Sequence, residues 1–245
     1  MNIALFGYGK MGHEVEQAAI AAGHAIVIAF DVDSPATRSA LRESGADVVI
    51  DFSQASGVEE HVRLCAETKI PIVIGTTGWE QTLGTVRGIV EQAKIGCIAG
   101  SNFSIGVNLF LRIVRDAAKM LDAAGYDAYI LEAHHRAKKD FPSGTALRLG
   151  EAVLQSMASK AKIASELTQG EAIAKETLLI SSIRAGALTG THLVGFDAED
   201  DAIELTHRAK SRRGFATGSI KAAEWIIGKN GFYRFEENIE KILSR

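Results

Sequence analysis

The sequence predicts an α/β protein in which a Rossmann-like, doubly wound parallel sheet is followed by a second α+β domain with a mixed or antiparallel sheet. Three observations predict it. Apolar runs of strand length alternate with helical stretches through the first hundred residues. A glycine turn, Gly7-Tyr8-Gly9-Lys10-Met11-Gly12, joins the first strand to the first helix. Near "SNFSIGVN" (101–108) the alternation stops, and later strands follow one another across short turns.

In order, "NIALFGYG" reads as a strand and "KMGHEVEQAAIAAG" as a helix closed by Gly23. "HAIVIAFD" and "ADVVIDFS" read as the second and third strands, the latter leading into a helix through Cys65. "IPIVIGTT" is the fourth, a helix follows from about Trp79 to Lys94, and "IGCIAGS" is the fifth. Strands that are continuous apolar runs belong to a parallel sheet covered on both faces. A long helix is expected from Ile105 to Ala123, then a strand "YDAYILEAHH" and a helix beginning near Ser143. "ETLLISSIRAG", "GTHLVGFD" and "DAIELTHRA" are strands, the last two joined by a hairpin at Glu199 to Asp201. A helix from about Gly214 to Ile227 and a short terminal helix complete the chain.

The 245 residues are 47% hydrophobic and carry a net charge of -3, which argues against a general nucleic-acid or membrane-surface binder. No apolar stretch approaches the roughly 18 residues of a membrane span, and "MNIALFGYG" has no leader pattern, so a cytoplasmic protein without a signal peptide is expected. Cys65 and Cys97 sit among apolar neighbours and are expected to be buried free thiols, in keeping with a reducing compartment.

Gly7, Gly9 and Gly12 have the spacing and the strand-to-helix context of a dinucleotide fingerprint. Gly7 serves the tight turn, Gly9 the approach of a pyrophosphate, and Gly12 close helix packing. Asp31 closes the second strand 19 residues after Gly12, where a carboxylate accepts hydrogen bonds from ribose hydroxyls. Asp33 competes for that role. Val32 follows Asp31 where an arginine would welcome a 2′-phosphate, so the expected cofactor is NADH or NADPH with NADH favoured; Arg38 is the cation that would reverse the preference. Two further turns, Gly75-Thr76-Thr77 and Gly100-Ser101-Asn102-Phe103, follow strands and are candidates for the nicotinamide half, ligands of such sheets lying beyond the carboxyl ends of their strands.

The other concentration of chemistry is "EAHHRAKKDFPSGTA", Glu132 to Ala146. His134, His135, Arg136, Lys138 and Lys139 form a local anion trap in an acidic protein. A helix start at Ser143, Gly144 and Thr145 adds amides and hydroxyls suited to a carboxylate. Neighbouring histidines on an extended segment point to opposite sides, imidazole moves protons near neutral pH, and lysine neutralises an oxyanion. No metal is expected, because histidines at i and i+1 chelate one ion poorly.

These motifs together resemble the 4-hydroxy-tetrahydrodipicolinate reductase (dihydrodipicolinate reductase) family. The long segment from Glu132 carries most of the resemblance, and "GYGKMG", "DFS" (51–53), "GTTGW", "SNFSIGVN", "RAGALTGTH" and "THRAKSRRGFATG" extend it over almost the whole chain. The resemblance implies a reductase of lysine and diaminopimelate biosynthesis that converts 4-hydroxy-tetrahydrodipicolinate, a cyclic dicarboxylate, to tetrahydrodipicolinate by hydride transfer with loss of water. It implies a dinucleotide-binding domain of residues 1–103 and 212–245, a substrate-binding and oligomerisation domain of residues 104–211, and a homotetramer. By motif, His134 is the implied acid/base residue, Lys138 the proton donor, and His135 with Gly144 and Thr145 the substrate contacts. Arg212 matches a hinge-side arginine. Two positions depart from the family pattern: Ala137 stands where many members have histidine, and Gln54 where many have arginine. Another two-domain amino-acid or imine reductase, and an NAD(H)-binding sensor without turnover, are the competing readings.

Overall fold

The computed structural model describes residues 1–244. The chain divides into two units, residues 1–105 with the segment from Arg212 onward, and Gly106–Ser211. Its elements run β1 (Asn2–Phe6), α1 (Lys10–Ala21), β2 (Ala25–Phe30), α2 (Arg38–Glu43), β3 (Val48–Asp51), α3 (Val58–Thr68), β4 (Ile72–Ile74), α4 (Leu83–Ala93) and β5 (Gly96–Ala99). Then come α5 (Ile105–Ala123), β6 (Asp127–His134), α6 (Gly144–Ser156), β7 (Lys162–Ala164), β8 (Thr177–Arg184), β9 (Thr191–Asp197) and β10 (Ala202–Arg208). The chain closes with α7 (Arg213–Ile226), β11 (Gly231–Arg234) and α8 (Phe235–Leu243).

The first unit is a six-stranded parallel sheet in the order β11-β5-β4-β3-β1-β2. Every residue of β3, β4 and β5 is buried, as the unbroken apolar runs require of strands covered on both faces. One core layer joins α1, α7 and α8 to the sheet through Val15, Ile220, Trp225, Phe235 and Ile239. The other sets Leu41, Val62, Val86 and Val90 of α2, α3 and α4 against Phe6, Ile72 and Ile74. Fully burying such a side chain contributes about 1.5–3 kcal/mol.

The second unit is a five-stranded mixed sheet, β10-β9-β6-β8-β7. β6 is antiparallel to β9 and parallel to β8, and β9 and β10 form the expected hairpin. Along α5, Val107, Phe110, Leu111, Val114 and Ala118 make a stripe at helical spacing that enters the core with Ala146, Leu149 and Val153 of α6. These helices meet the face of β6 that carries Ala128 and Ile130; the alternate residues Tyr129 and Leu131 lie on the other face.

The fold class is the expected one, with differences in detail. The helix expected from Trp79 begins at Leu83, after a 3₁₀ turn at Glu80–Thr82. Three short elements lie outside the sequence expectation. α2 spans less than two turns, β7 has three residues, and β11 is the polar-ended "GFYR", which gains strand character only by pairing with β5.

Candidate functional site

Because β1 to β5 run parallel, the turns after them lie along one edge of the first sheet, and chain order reverses where β1 sits between β2 and β3. That is where a dinucleotide is bound in such sheets. Gly7 holds φ 87° and touches the backbone after β3: a methyl group there would come within 2.8 Å of Ser53 Cα. Gly12 packs against the Gly7 carbonyl, whereas nothing lies within 4 Å of the corresponding position at Gly9. Gly9 is also the N-cap of α1 and offers no side chain to the helix amides, so the backbone here is open to an anion. A pocket of about 390 Å³ beside this turn is lined by Gly7, Gly9, Asp31, Ser53, Glu60 and His61 among others. Its volume and polar lining suit the adenosine half of a dinucleotide.

Asp31 is exposed in that pocket, its Oδ1 accepting the Val32 amide at 2.8 Å. Asp33 does not line it, and Arg38 reaches Glu67 at 3.6 Å. Tyr8 is turned to Glu16, its hydroxyl donating at 2.6 Å, and Lys10 is exposed beside it, while Met11 packs on the core.

The two later turns are held tightly from inside. Asp51, fully buried at the end of β3, accepts at Oδ1 from the Thr76 hydroxyl at 2.8 Å and from the Ser53 hydroxyl at 2.6 Å. Its Oδ2 meets His61 Nδ1 at 2.8 Å. The Thr76 side chain therefore supports the sheet edge, and Gly75 lies flat against the Phe52 ring, where a side chain would collide. Thr77 remains exposed. Gly100 donates its amide to Ile74 O at 3.1 Å, Ser101 is exposed, and Asn102 Oδ1 accepts the Ser104 amide at 2.8 Å. Phe103 places its ring in the core against Phe235, at 4.6 Å between centroids, which leaves only its backbone for a ligand.

In the second unit the sheet register assembles the other site. Glu132 and His134, two apart on β6, share the face covered by α6. His192 of β9 is the register partner of Glu132, and Arg184 of β8 is the partner of His134. Glu132 is fully buried and spends both carboxylate oxygens. Oε2 meets His134 Nδ1, while Oε1 accepts from Arg184 Nη2 at 2.6 Å and from the Ser143 amide at 3.3 Å. Arg184 also donates to the Asp140 carbonyl at 2.6 Å, which ties the loop after β6 to the strand. Ser143 caps α6, its Oγ accepting the Ala146 amide at 3.2 Å and lying 3.1 Å from His192 Nε2. With its hydroxyl and amide engaged, Ser143 holds the loop. Gly144, exposed at the first helical position, and Thr145 present the start of α6. Lys138 Nζ donates to both oxygens of Asp140, at 2.8 and 2.9 Å. His135 is half-buried; Arg136 and Lys139 are exposed.

The charges follow from these contacts. Burial would raise the Glu132 carboxyl, but the Arg184 guanidinium, the Ser182 hydroxyl of the neighbouring strand and His134 together outweigh it and hold the group below its ordinary value. Burial lowers His134, against the opposing pull of Glu132 and with help from Lys138 and Arg184. Burial and the neighbouring His134 push His192 down to about 4. The Lys138 ammonium lowers Asp140. At neutral pH the cluster thus holds an ionised carboxylate beside two neutral imidazoles.

The sequence alone does not mark Glu132, Arg184, His192 or Gly190 as site residues. Glu132 had a local signal, an acid two residues before a histidine in an apolar strand. The others lie more than fifty residues along the chain and are joined to it only by the sheet. Glu132, His134 and His192 bring one ligand atom each within 4.8 Å of one another. The Arg184 guanidinium already occupies the carboxylate, so a metal cation would have to displace it, and the donor set fits a hydrogen-bonded relay better.

A family model described as dihydrodipicolinate reductase, N-terminus, matches residues 1–103, and one described as dihydrodipicolinate reductase, C-terminus, matches residues 106–239. A protein of Christiangramia forsetii named 4-hydroxy-tetrahydrodipicolinate reductase is 37% identical over 97% of both chains. One of the same name from Archaeoglobus fulgidus is 37% identical over 98% of this chain and 100% of its own. A dipicolinate-bound dihydrodipicolinate reductase from Paenisporosarcina sp. TG-14 superposes with a TM-score of 0.78 at 25% identity, covering 97% of this chain and 98% of that one.

Proposed function

Because the chain belongs to the dihydrodipicolinate reductase family, we propose that it reduces 4-hydroxy-tetrahydrodipicolinate to tetrahydrodipicolinate in lysine and diaminopimelate biosynthesis. Hydride and one proton are taken up, and water and the oxidised nucleotide are released. The observation that carries the reading is the cluster at the end of β6, where a buried imidazole, an ammonium and a helix start meet. A dicarboxylate ring needs those three groups, and the Paenisporosarcina relative is described with dipicolinate bound.

The dinucleotide would be held by Gly7 to Gly12, Asp31 and the turns at Gly75–Thr77 and Gly100–Phe103, and it supplies the hydride when bound. The chain does the rest. Lys138 exchanges its partner Asp140 for a substrate carboxylate and supplies a proton. The amides of Gly144 and Thr145 orient a carboxylate at the start of α6, and His135 adds a further contact. His134, with Nδ1 turned to Glu132, offers Nε2 for proton exchange. NADH is the favoured cofactor: acidic Asp31 and Glu60 line the pocket without a lysine or arginine, so a 2′-phosphate would meet like charge.

The apolar face formed by Tyr129, Leu131, Ile183 and Leu193 carries no helix of its own unit and supports a homotetramer built through this sheet. Among the described residues no helix is long and apolar enough to cross a membrane; we place the enzyme in the cytoplasm with its substrate. Oxidation of NADH and NADPH with freshly generated 4-hydroxy-tetrahydrodipicolinate tests the reading. Turnover with a higher kcat/KM for NADH is expected. Absence of turnover with both nucleotides overturns the activity, and a strong NADPH preference overturns the cofactor assignment.

A further inference from the structure

A buried acid on a central strand is costly unless every lone pair is used. Glu132 meets that demand in an ordered way. One oxygen faces a guanidinium and a backbone amide; the other faces the Nδ1 ring nitrogen of His134. An ionised carboxylate only accepts hydrogen bonds, so the imidazole nitrogen facing it must carry a hydrogen. The neutral His134 is therefore the Nδ1–H tautomer, with its lone pair on Nε2. That nitrogen points towards Gly190, where a methyl group would stand 3.0 Å away, so the main chain leaves it room.

We propose that Glu132 is the positioning residue of His134: its buried carboxylate holds Nδ1–H and so fixes Nε2 as the nitrogen that exchanges a proton, while Arg184 anchors the carboxylate from the opposite side. The proposal rests on the reading that His134 takes part in proton transfer. A carboxylate, an imidazole and a reacting proton in line is the arrangement by which triad hydrolases set a histidine tautomer; here the third group is substrate, and Arg184 restrains the carboxylate. The charged and titratable groups around His134 are Glu132 on its own strand, Arg184 on β8, His192 on β9 and Lys138 in the loop, itself paired with Asp140. His192 crosses the His134 ring edge to face at 5.1 Å and stays neutral, so it adds no second positive charge near pH 7.

The two ends of the relay act on His134 in opposite directions. Glu132 favours the imidazolium and Arg184 disfavours it. Glu132→Gln should move the His134 titration to lower pH. Because the new amide must turn its NH₂ towards one of two donors, facing His134 shifts the ring hydrogen to Nε2. Arg184→Met should move the titration to higher pH. A purely structural role predicts lost stability with the His134 tautomer and the kcat of the folded variants unchanged.

The experiment is nitrogen NMR of isotope-labelled histidine in the wild-type chain and both variants, with kcat measured alongside. The proposal expects the Nδ1–H tautomer in the wild type, opposite displacements of the titration in the variants, and a kcat in Glu132→Gln lowered roughly 10²-fold. An Nε2–H tautomer in the wild type overturns it without any variant, as do unmoved titrations in variants that fold. The tautomer is read without turnover, so failure of the reductase reading would show as missing activity with the relay intact.

Discussion

Gly190 stands against the ring nitrogen of His134 that Glu132 leaves free. It holds φ +133°, and a methyl group added to it would lie 3.0 Å from His134 Nε2. Gly190→Ala therefore carries two penalties, a backbone angle that side chains rarely adopt and a crowded imidazole. We expect a loss of about 1–3 kcal/mol in unfolding free energy and a fall in kcat larger than any change in KM. Chemical denaturation and steady-state kinetics on the same preparation check both.

His134→Gln and Lys138→Ala should each lower kcat roughly 10²-fold or more, the scale of positioned acid-base help. Lys138→Ala should also raise KM, since it removes a carboxylate partner, whereas His134→Gln should leave KM near its starting value. Near-normal turnover in both variants would remove these residues from the mechanism.

Asp31→Ser removes an acid that lines the pocket proposed for the nucleotide. A charge-assisted hydrogen bond is worth about 1.5–3 kcal/mol, so KM for NADH should rise by roughly tenfold or more while kcat holds. The ratio of kcat/KM for NADPH to that for NADH should rise in the same variant. An unchanged ratio would show that ribose recognition lies elsewhere.

Stability should fall on mild acidification. His192 is held at about 4 against an ordinary 6.5, so below 6.5 the unfolded chain binds a proton that the folded chain refuses. That contribution is fully present above pH 6.5 and is lost as pH falls towards 4, by about 3 kcal/mol. His134 and His207, both lowered by burial, act with the same sign. Urea unfolding across this range should show the slope, and His192→Asn should flatten it.

Ile183→Glu puts a charge on the apolar face of the second sheet, on a residue 44% exposed within one chain. If that face joins subunits, light scattering should show a smaller assembly with secondary structure retained. An unchanged molar mass would place the subunit contacts elsewhere.

Long-period patterns in the sequence carried most of this architecture. The all-buried strands β3 to β5 and the stripe along α5 declare themselves because many residues repeat one signal. α2 and β7 are too short for a period to register, and β11 is a strand only because β5 is its neighbour. At the candidate site, the glycines and the run from Glu132 to Ala146 were visible, since their chemistry is local. The partnership of Glu132 with Arg184 and His192 was not, because it depends on the register of a mixed sheet. Thr76 and Phe103 were legible as positions but not as side chains: one hydroxyl is drawn to Asp51 and one ring to Phe235, and neither partner is close in sequence.

The first unit takes its last strand and two of its core helices from the segment after Arg212. During translation, the chain emerging from the ribosome cannot complete this sheet when its first hundred residues are out: the β5 edge and the part of the apolar face that α7 and α8 cover stay bare until the final stretch arrives. The middle unit carries all its own strands and can fold meanwhile, so it should be finished before the unit that begins the chain. A nascent chain halted near Ser211 would leave a sticky, unpaired edge for chaperones to cover.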